Sequence, residues 1–192
     1  MFQGSAHVAS GQLDRLTRLF DEILDMARID AGAVEPQRAW VAPAEIVEAA
    51  IAQAANALAG RDVRVDARED VTVETDPRLV ASALAHFLEN AAQYAPEGPI
   101  VVRGWTDAEG LRLDVRDEGP GLRAEEIERL FEPFYRGERL RHRVPGTGMG
   151  LAITRGLVAA DRGRAWAENA SPRGACFSIA VPARTRVLAP AE

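Results

Sequence analysis

Twice in this chain, two strand-like segments are separated by a short turn. Ile100 to Thr106 and Leu111 to Asp117 flank Asp107-Ala108-Glu109-Gly110, and Arg164 to Asn169 and Cys176 to Val181 flank Ser171-Pro172-Arg173-Gly174. Connections this short close only antiparallel pairs, because a parallel pair needs a crossover of a dozen residues or more. Two further short strands are expected where Val63/Val65 alternate with Arg64/Asp66 and where Val71/Val73 alternate beyond Glu69-Asp70. Helical segments lie between them. Pro43 sits in the first turn of a helix expected over Ala44 to Leu58 and closed by Gly60, and Asp76 caps a long helix that Pro77 opens and Tyr94 ends. Ala124 to Leu130 and Gly150 to Ala160 also read as helical. The expected architecture is α+β, a two-layer sandwich of helices on a mixed, largely antiparallel sheet.

One long helix precedes it. Leu13, Leu16, Phe20, Ile23 and Ala27 step by 3, 4, 3 and 4, the spacing of a helix seam, and Gly32 stops the run. No second heptad helix is available to it within the chain. The stripe therefore docks on its own domain or forms a dimer seam, and either satisfies the same need for burial. Met1 to Ser5 resembles a cloning remnant and carries no weight here. Ala33 to Trp40, with Pro36, is a connector, Arg136 to Gly146 is aperiodic and reads as a mobile loop, and the tail from Ala183 is expected to fray.

Composition removes several chemistries. The 192 residues contain 23 basic side chains, all arginine, so neither a P-loop NTPase nor lysine Schiff-base chemistry is possible. The 35 alanines go with helix content and base composition. A net charge of −6 favours no nucleic-acid partner, and the single Cys176 excludes an internal disulfide or a cysteine zinc site. No apolar run is long enough to cross a membrane, so a soluble chain is expected.

Three segments could carry chemistry. Asp117-Glu118-Gly119-Pro120-Gly121 places a carboxylate at a strand end, before two glycines that let backbone approach a flat ligand. Such a carboxylate can accept a hydrogen bond from an adenine amino group. Gly146-Thr147-Gly148-Met149-Gly150 precedes the helix beginning at Leu151, where freed amides and the helix N-terminus suit phosphate. The spacing is not that of a dinucleotide fingerprint. In the long helix, His86, Asn90, Gln93 and Tyr94 share one face, opposite Leu84, Phe87, Leu88 and Ala91. The Asn90 amide oxygen suits Mg²⁺ shared with substrate phosphates. Each segment alone is also what an ordinary turn, a hinge or a solvated helix face looks like.

Their order is more specific. The Asn90 helix, Asp117-x-Gly-x-Gly121, Phe131-Glu132-Pro133-Phe134-Tyr135 and Gly-x-Gly-x-Gly150 resemble the N, G1, F and G2 boxes of sensor histidine kinases. Gly174-Ala175-Cys176-Phe177 resembles that family's last glycine turn. Upstream, Leu24 to Gly32 resembles the end of the second dimerisation helix, most of all in the potassium-sensing KdpD branch. The resemblance implies a dimerisation-helix remnant over 6–32, a linker over 33–42, an ATP-binding catalytic domain of the GHKL type over 43–182 and a tail over 183–192. It makes Asn90 the Mg²⁺ ligand, Tyr94 a wall of the adenine pocket and Asp117 the partner of the adenine amino group, with Gly119 and Gly121 allowing close approach. Phe131 and Phe134 would pack the base of a lid formed by Arg136 to Arg143, beside Tyr135. Gly146, Thr147, Gly148, Met149, Gly150 and Leu151 would surround the phosphates of ATP. The implied partners are a response regulator and a second copy of the intact protein, joined through the N-terminal helix. The implied location is cytoplasmic, and whether the intact protein is anchored in the bacterial inner membrane stays open.

Two departures accompany the resemblance. Three residues after the asparagine, where the family usually has lysine, stands Gln93. The acceptor block, a histidine followed by an acid, is absent: His7, His86 and His142 all lack the acid. The expected activity is transfer of the γ-phosphoryl of Mg-ATP to a histidine outside this chain, which reads as a fragment without catalytic residues of its own. A nucleotide-binding regulatory module without transferase activity, or a related GHKL ATPase or serine kinase, are the alternatives. His86 stands where hydrolysing relatives carry a glutamate base, which argues against the ATPase.

Overall fold

The computed structural model describes residues 3–137 and 146–188, with the side chains of 3–15 and 18 outside the description. In chain order the elements are α1 (Gln3–Asp30), β1 (Ala39–Val41), α2 (Pro43–Gln53), β2 (Val63–Ala67), β3 (Val71–Thr75) and α3 (Pro77–Tyr94). There follow β4 (Ile100–Asp107), β5 (Gly110–Arg116), α4 (Ala124–Ile127), α5 (Gly150–Ala160), β6 (Arg164–Asn169), β7 (Ala175–Pro182) and β8 (Thr185–Val187).

Five strands form the main sheet in the order β2-β4-β5-β7-β6. Both expected hairpins are present, β4 with β5 and β6 with β7, and β5 pairs antiparallel with β7. Only β2 against β4 is parallel, which makes the sheet mixed but largely antiparallel. A small sheet, β1-β3-β8, stands apart. The described part of the tail is therefore not frayed as expected: Thr185–Val187 pairs with β3, where Val187 lies opposite Val71, and the backbone hydrogen bonds of that edge hold it.

Helix α3 lies between α2 and α5 on one face of the main sheet. Its predicted apolar stripe is the one buried: Leu84, Phe87, Leu88 and Ala91 are almost wholly inaccessible. The Phe87 and Phe177 rings, with centroids 5.3 Å apart, join α3 to β7. At the start of α3 the Asp76 carboxylate accepts from the Arg78 and Leu79 amides, as an N-cap should, and also from the Gln37 amide at 2.6 Å. Buried Asp161, just past α5, accepts from Arg38 at 2.7 Å, from the Thr75 hydroxyl and from the Asp76 amide at 3.1 Å. The connector is thus fastened to one end of each helix that faces the site.

Helix α2 stops at Gln53, short of the expected Leu58; the turns that follow bury Ala54 and Leu58 and lead into a left-handed Gly60. Helix α4 likewise ends at Ile127 and not at Leu130, and the turns after it carry Phe131 into the core. In both places burial of an apolar side chain outweighs helix propensity.

The long helix α1 has a different inner face from the one its heptad spacing suggests. Leu19, Met26 and Ile29 pack against the core, and α1 lies on α5. The seam residues Leu16, Phe20 and Ile23 remain 65%, 61% and 48% exposed. Among the described residues no helix is long and apolar enough to cross a membrane.

Candidate functional site

The exposed end of α3, the β5 terminus and the turn before α5 enclose a cavity of about 620 Å³, well within the range of ligand sites. Helix α3 contributes its polar face. His86, Asn90, Gln93 and Tyr94 all line the cavity, as their spacing predicts. Arg61 fixes the end of this helix by donating to the carbonyls of Ala92 (2.8 Å), Ala95 (2.6 Å) and Gly98 (3.2 Å). A guanidinium is well suited to helix-end carbonyls, but nothing in the local sequence around Arg61 announces it.

Asp117 follows β5 and is buried, with its carboxylate on the cavity wall. Its Oδ1 accepts from the Gly119 amide at 2.7 Å and the Ala175 amide at 3.2 Å. Both bonds fall on one oxygen, so Oδ2 is left for a ligand. Burial pushes this carboxyl above its ordinary range, with the two amides and the Arg61 guanidinium acting in the opposite direction. The surrounding glycines are required for contact. A Cβ on Gly174, whose φ is +94°, would lie 1.9 Å from the Asp117 carbonyl oxygen, and one on Gly119 would lie 2.9 Å from the Ala95 Cβ. Gly119 therefore serves close approach without itself lining the cavity.

The second glycine turn forms the opposite end. Gly146, Thr147, Gly148, Gly150 and Leu151 line the cavity. Gly148, with φ +78°, has the Tyr135 carbonyl oxygen 2.8 Å from where its Cβ would be, so the Phe134-Tyr135 backbone closes directly on this turn. A Cβ on Gly146 would meet the Gln93 Nε2 at 3.8 Å, which puts the uncharged amide beside the turn that the family's lysine would serve.

Some expected site residues lie elsewhere. Met149 is buried in the core and Phe131 joins it there, neither on the cavity wall. Phe134 is not on the cavity wall either: its backbone is left-handed, φ 62°, its ring is 66% exposed, and the close approach to Gly148 is made by main chain, while most of the lid it was expected to support lies outside the described residues. Tyr135 does line the cavity. Arg143 and His142 lie outside the described residues. Two cavity residues come from α1, Leu19 and Glu22, and the seam pattern that drew notice to this helix ran along its other side.

A carboxylate closed in by glycine backbone at one end of a cavity, and amide-rich glycine turns at the other, match a known architecture. The family described as histidine kinase-, DNA gyrase B- and HSP90-like ATPases matches residues 75–185. The chain belongs to this family. Among its relatives, the sensor protein KdpD of Escherichia coli (strain K12) is 35% identical over 171 residues, which is 88% of this chain and 19% of that protein. The sensor-like histidine kinase SenX3 of Mycobacterium tuberculosis (strain ATCC 25618 / H37Rv) is 32% identical over 178 residues, 90% of this chain and 43% of that protein. The chain thus spans less than half the length of these curated relatives. The crystal structure of full-length ShkA in complex with AMPPNP superposes with a TM-score of 0.83 at 25% identity, covering 100% of this chain and 41% of that one. The chain carries the ATP-binding ATPase domain shared by sensor histidine kinases.

Proposed function

We propose that this chain binds Mg-ATP in the cavity between α3 and α5 and acts as the catalytic half of a sensor histidine kinase. The γ-phosphoryl passes to a histidine outside this chain, for relay to a response regulator. The observation that carries the nucleotide assignment is Asp117, held on one oxygen by two backbone amides with the other left to a donor. That geometry suits the exocyclic amino group of adenine, with Tyr94 on the wall beside it. The Gly146–Gly150 turn suits the phosphates at the other end.

The donor chemistry fits a hard divalent cation. Asn90 brings an amide oxygen to the cavity wall, next to the Glu89 carboxylate, and no thiolate lines it. Asn90 would hold Mg²⁺, which supplies charge neutralisation to bound phosphates. In the transfer itself the bond from the γ-phosphorus to the bridging oxygen breaks, a bond to an imidazole nitrogen forms, and ADP leaves. The chain's task is positioning and charge stabilisation.

No histidine of this chain is followed by the acid of an acceptor block. His86, on α3, faces the start of α5, with its Nδ1 3.5 Å from where a Gly150 Cβ would be, and pairs with Glu89 at 3.6 Å. Helix α1 is read as the end of the second dimerisation helix, and the exposed Leu16-Phe20-Ile23 seam supports a homodimer of the intact protein. A cytoplasmic site of action goes with this reading.

Incubation with γ-labelled ATP tests it. The chain alone should bind nucleotide and take up no acid-labile, base-stable label. Addition of a phosphoacceptor helix pair from a sensor kinase should produce that label on the added histidine. Label on the chain alone refutes the missing-acceptor assignment. ATP binding with no transfer to any added acceptor would leave the nucleotide-binding module as the function.

A further inference from the structure

Glu22 projects from α1 onto the glycine turn of the nucleotide site. The Thr147 hydroxyl donates to Glu22 Oε2 at 2.5 Å, and the same hydroxyl oxygen accepts from the Met149 amide at 3.2 Å. Glu22 itself lines the cavity, at the end where Gly146, Thr147 and Gly148 stand. The position of this carboxylate is set by helix packing. Leu19, Met26 and Ile29 lie against the domain, and Gly156 in α5 lets Ile29 approach so closely that a Cβ there would fall 2.4 Å from Ile29 Cγ2.

Two physical consequences follow. A carboxylate at an anion site raises the cost of every negative charge brought to it, and most of all the cost of the outermost phosphate. Its hydrogen bond also takes up the proton of the Thr147 hydroxyl, a donor on the cavity wall that a phosphate could use. Both effects depend on α1 being docked on α5, since the turn has no such carboxylate of its own.

We propose that Glu22 is a specificity-determining residue of the nucleotide site, which sets the preference among phosphate chain lengths and makes triphosphate binding oppose docking of α1. The proposal rests on the reading of the cavity as a nucleotide site. Glu22 acts on the phosphates and not on the base, and packing of Ile29 over Gly156 delivers it.

Calorimetry of ATP, ADP and adenosine, with Mg²⁺ and with a chelator, tests this on the full chain. Glu22→Gln should tighten metal-free ATP roughly tenfold and ADP by less, and should leave adenosine unchanged, as expected for removal of one charge in a partly solvated site. The gain should shrink as salt is raised. Gly156→Ala, which forces Ile29 away without touching the cavity, should tighten ATP several-fold with adenosine again unchanged. The double variant should gain no more than the larger single effect, because both substitutions remove the same contact. Equal changes for all three ligands would mean a merely structural role and overturn the proposal. Weaker Mg-ATP binding by Glu22→Gln, with metal-free ATP unaffected, would make Glu22 a cation ligand and overturn it as well. Additive effects of the two variants would refute delivery by the helix. Adenosine that fails to bind the unsubstituted chain would instead bring down the nucleotide reading, and the proposal with it.

Discussion

Replacing Asp117 by asparagine should move stability and binding in opposite directions. The carboxylate is buried, and burial pushes its proton affinity up more than the Gly119 and Ala175 amides and Arg61 pull it down. A carboxyl with a raised folded-state pKa takes up its proton more readily in the native chain than in the unfolded one. Over the interval between the ordinary and the raised value the native state holds more protons, so stability falls as pH rises through that interval. Above it the ionised carboxylate is a standing cost. Asparagine keeps an acceptor for the two amides and carries no charge, so Asp117→Asn should melt at or above the temperature of the original chain near pH 7. The difference should vanish on acidification below the ordinary aspartate range. Binding should suffer instead. In place of the free Oδ2 an NH₂ group would face the adenine amino group, which sets donor against donor and removes one hydrogen bond to a charged acceptor. That costs about 1–3 kcal/mol, or roughly ten- to a hundredfold in ATP affinity. Scanning calorimetry across pH and titration calorimetry with ATP read the two halves separately. Unchanged ATP affinity would refute the adenine assignment, and a large loss of stability at neutral pH would refute the view that the charge is held at a cost.

The remaining expectations concern the other parts of the site. Asn90→Ala should abolish the Mg²⁺ dependence of ATP binding and leave metal-free adenosine binding intact, which parallel titrations with and without chelator would show. Gln93→Lys should tighten ATP by about 1 kcal/mol and adenosine not at all, since Gln93 already stands beside the Gly146 turn and gains one ionic contact there. Equal changes for both ligands would show that the added charge does not reach the phosphates. Gly174→Ala should cost about 2 kcal/mol or more, some 4–8 °C in melting temperature, because its backbone is left-handed and the new Cβ would overlap the Asp117 carbonyl oxygen. ATP binding should fall with it, as Asp117 is displaced.

Where local pattern and tertiary contact agree, the sequence is sufficient. The polar face of α3 could be read from spacing alone, since a helix that buries Leu84, Phe87, Leu88 and Ala91 must turn His86, Asn90, Gln93 and Tyr94 the other way. The hairpins were legible for the same reason, because turn length dictates pairing direction. Contacts between distant segments were not. Asp117 gains its geometry from Gly174, 57 residues later, and α3 is held at its end by Arg61, a residue with no local partner of note. Thr185–Val187 carries no strand signal beyond its composition, and becomes a strand because β3 offers an unpaired edge.

Helix α1 shows the limit of a periodicity argument most clearly. Its heptad stripe is one apolar face, but an amphipathic helix can carry more than one, and spacing alone does not assign each face to its partner. Leu19, Met26 and Ile29 form a second stripe at steps of 7 and 3 that α5 takes up, while Leu16, Phe20 and Ile23 stay open. The expectation that the stripe would dock or dimerise treated two faces as one. A helix with both faces apolar can sit on its own domain and still offer a surface to a second copy. Glu22 stands between those faces, adjacent in sequence to Ile23 of the open seam and three residues after Leu19 of the docked stripe. Docking of the Leu19-Met26-Ile29 stripe on α5 is what brings the Glu22 carboxylate to the Thr147 hydroxyl, so the burial of one apolar face sets the polar contact made beside it.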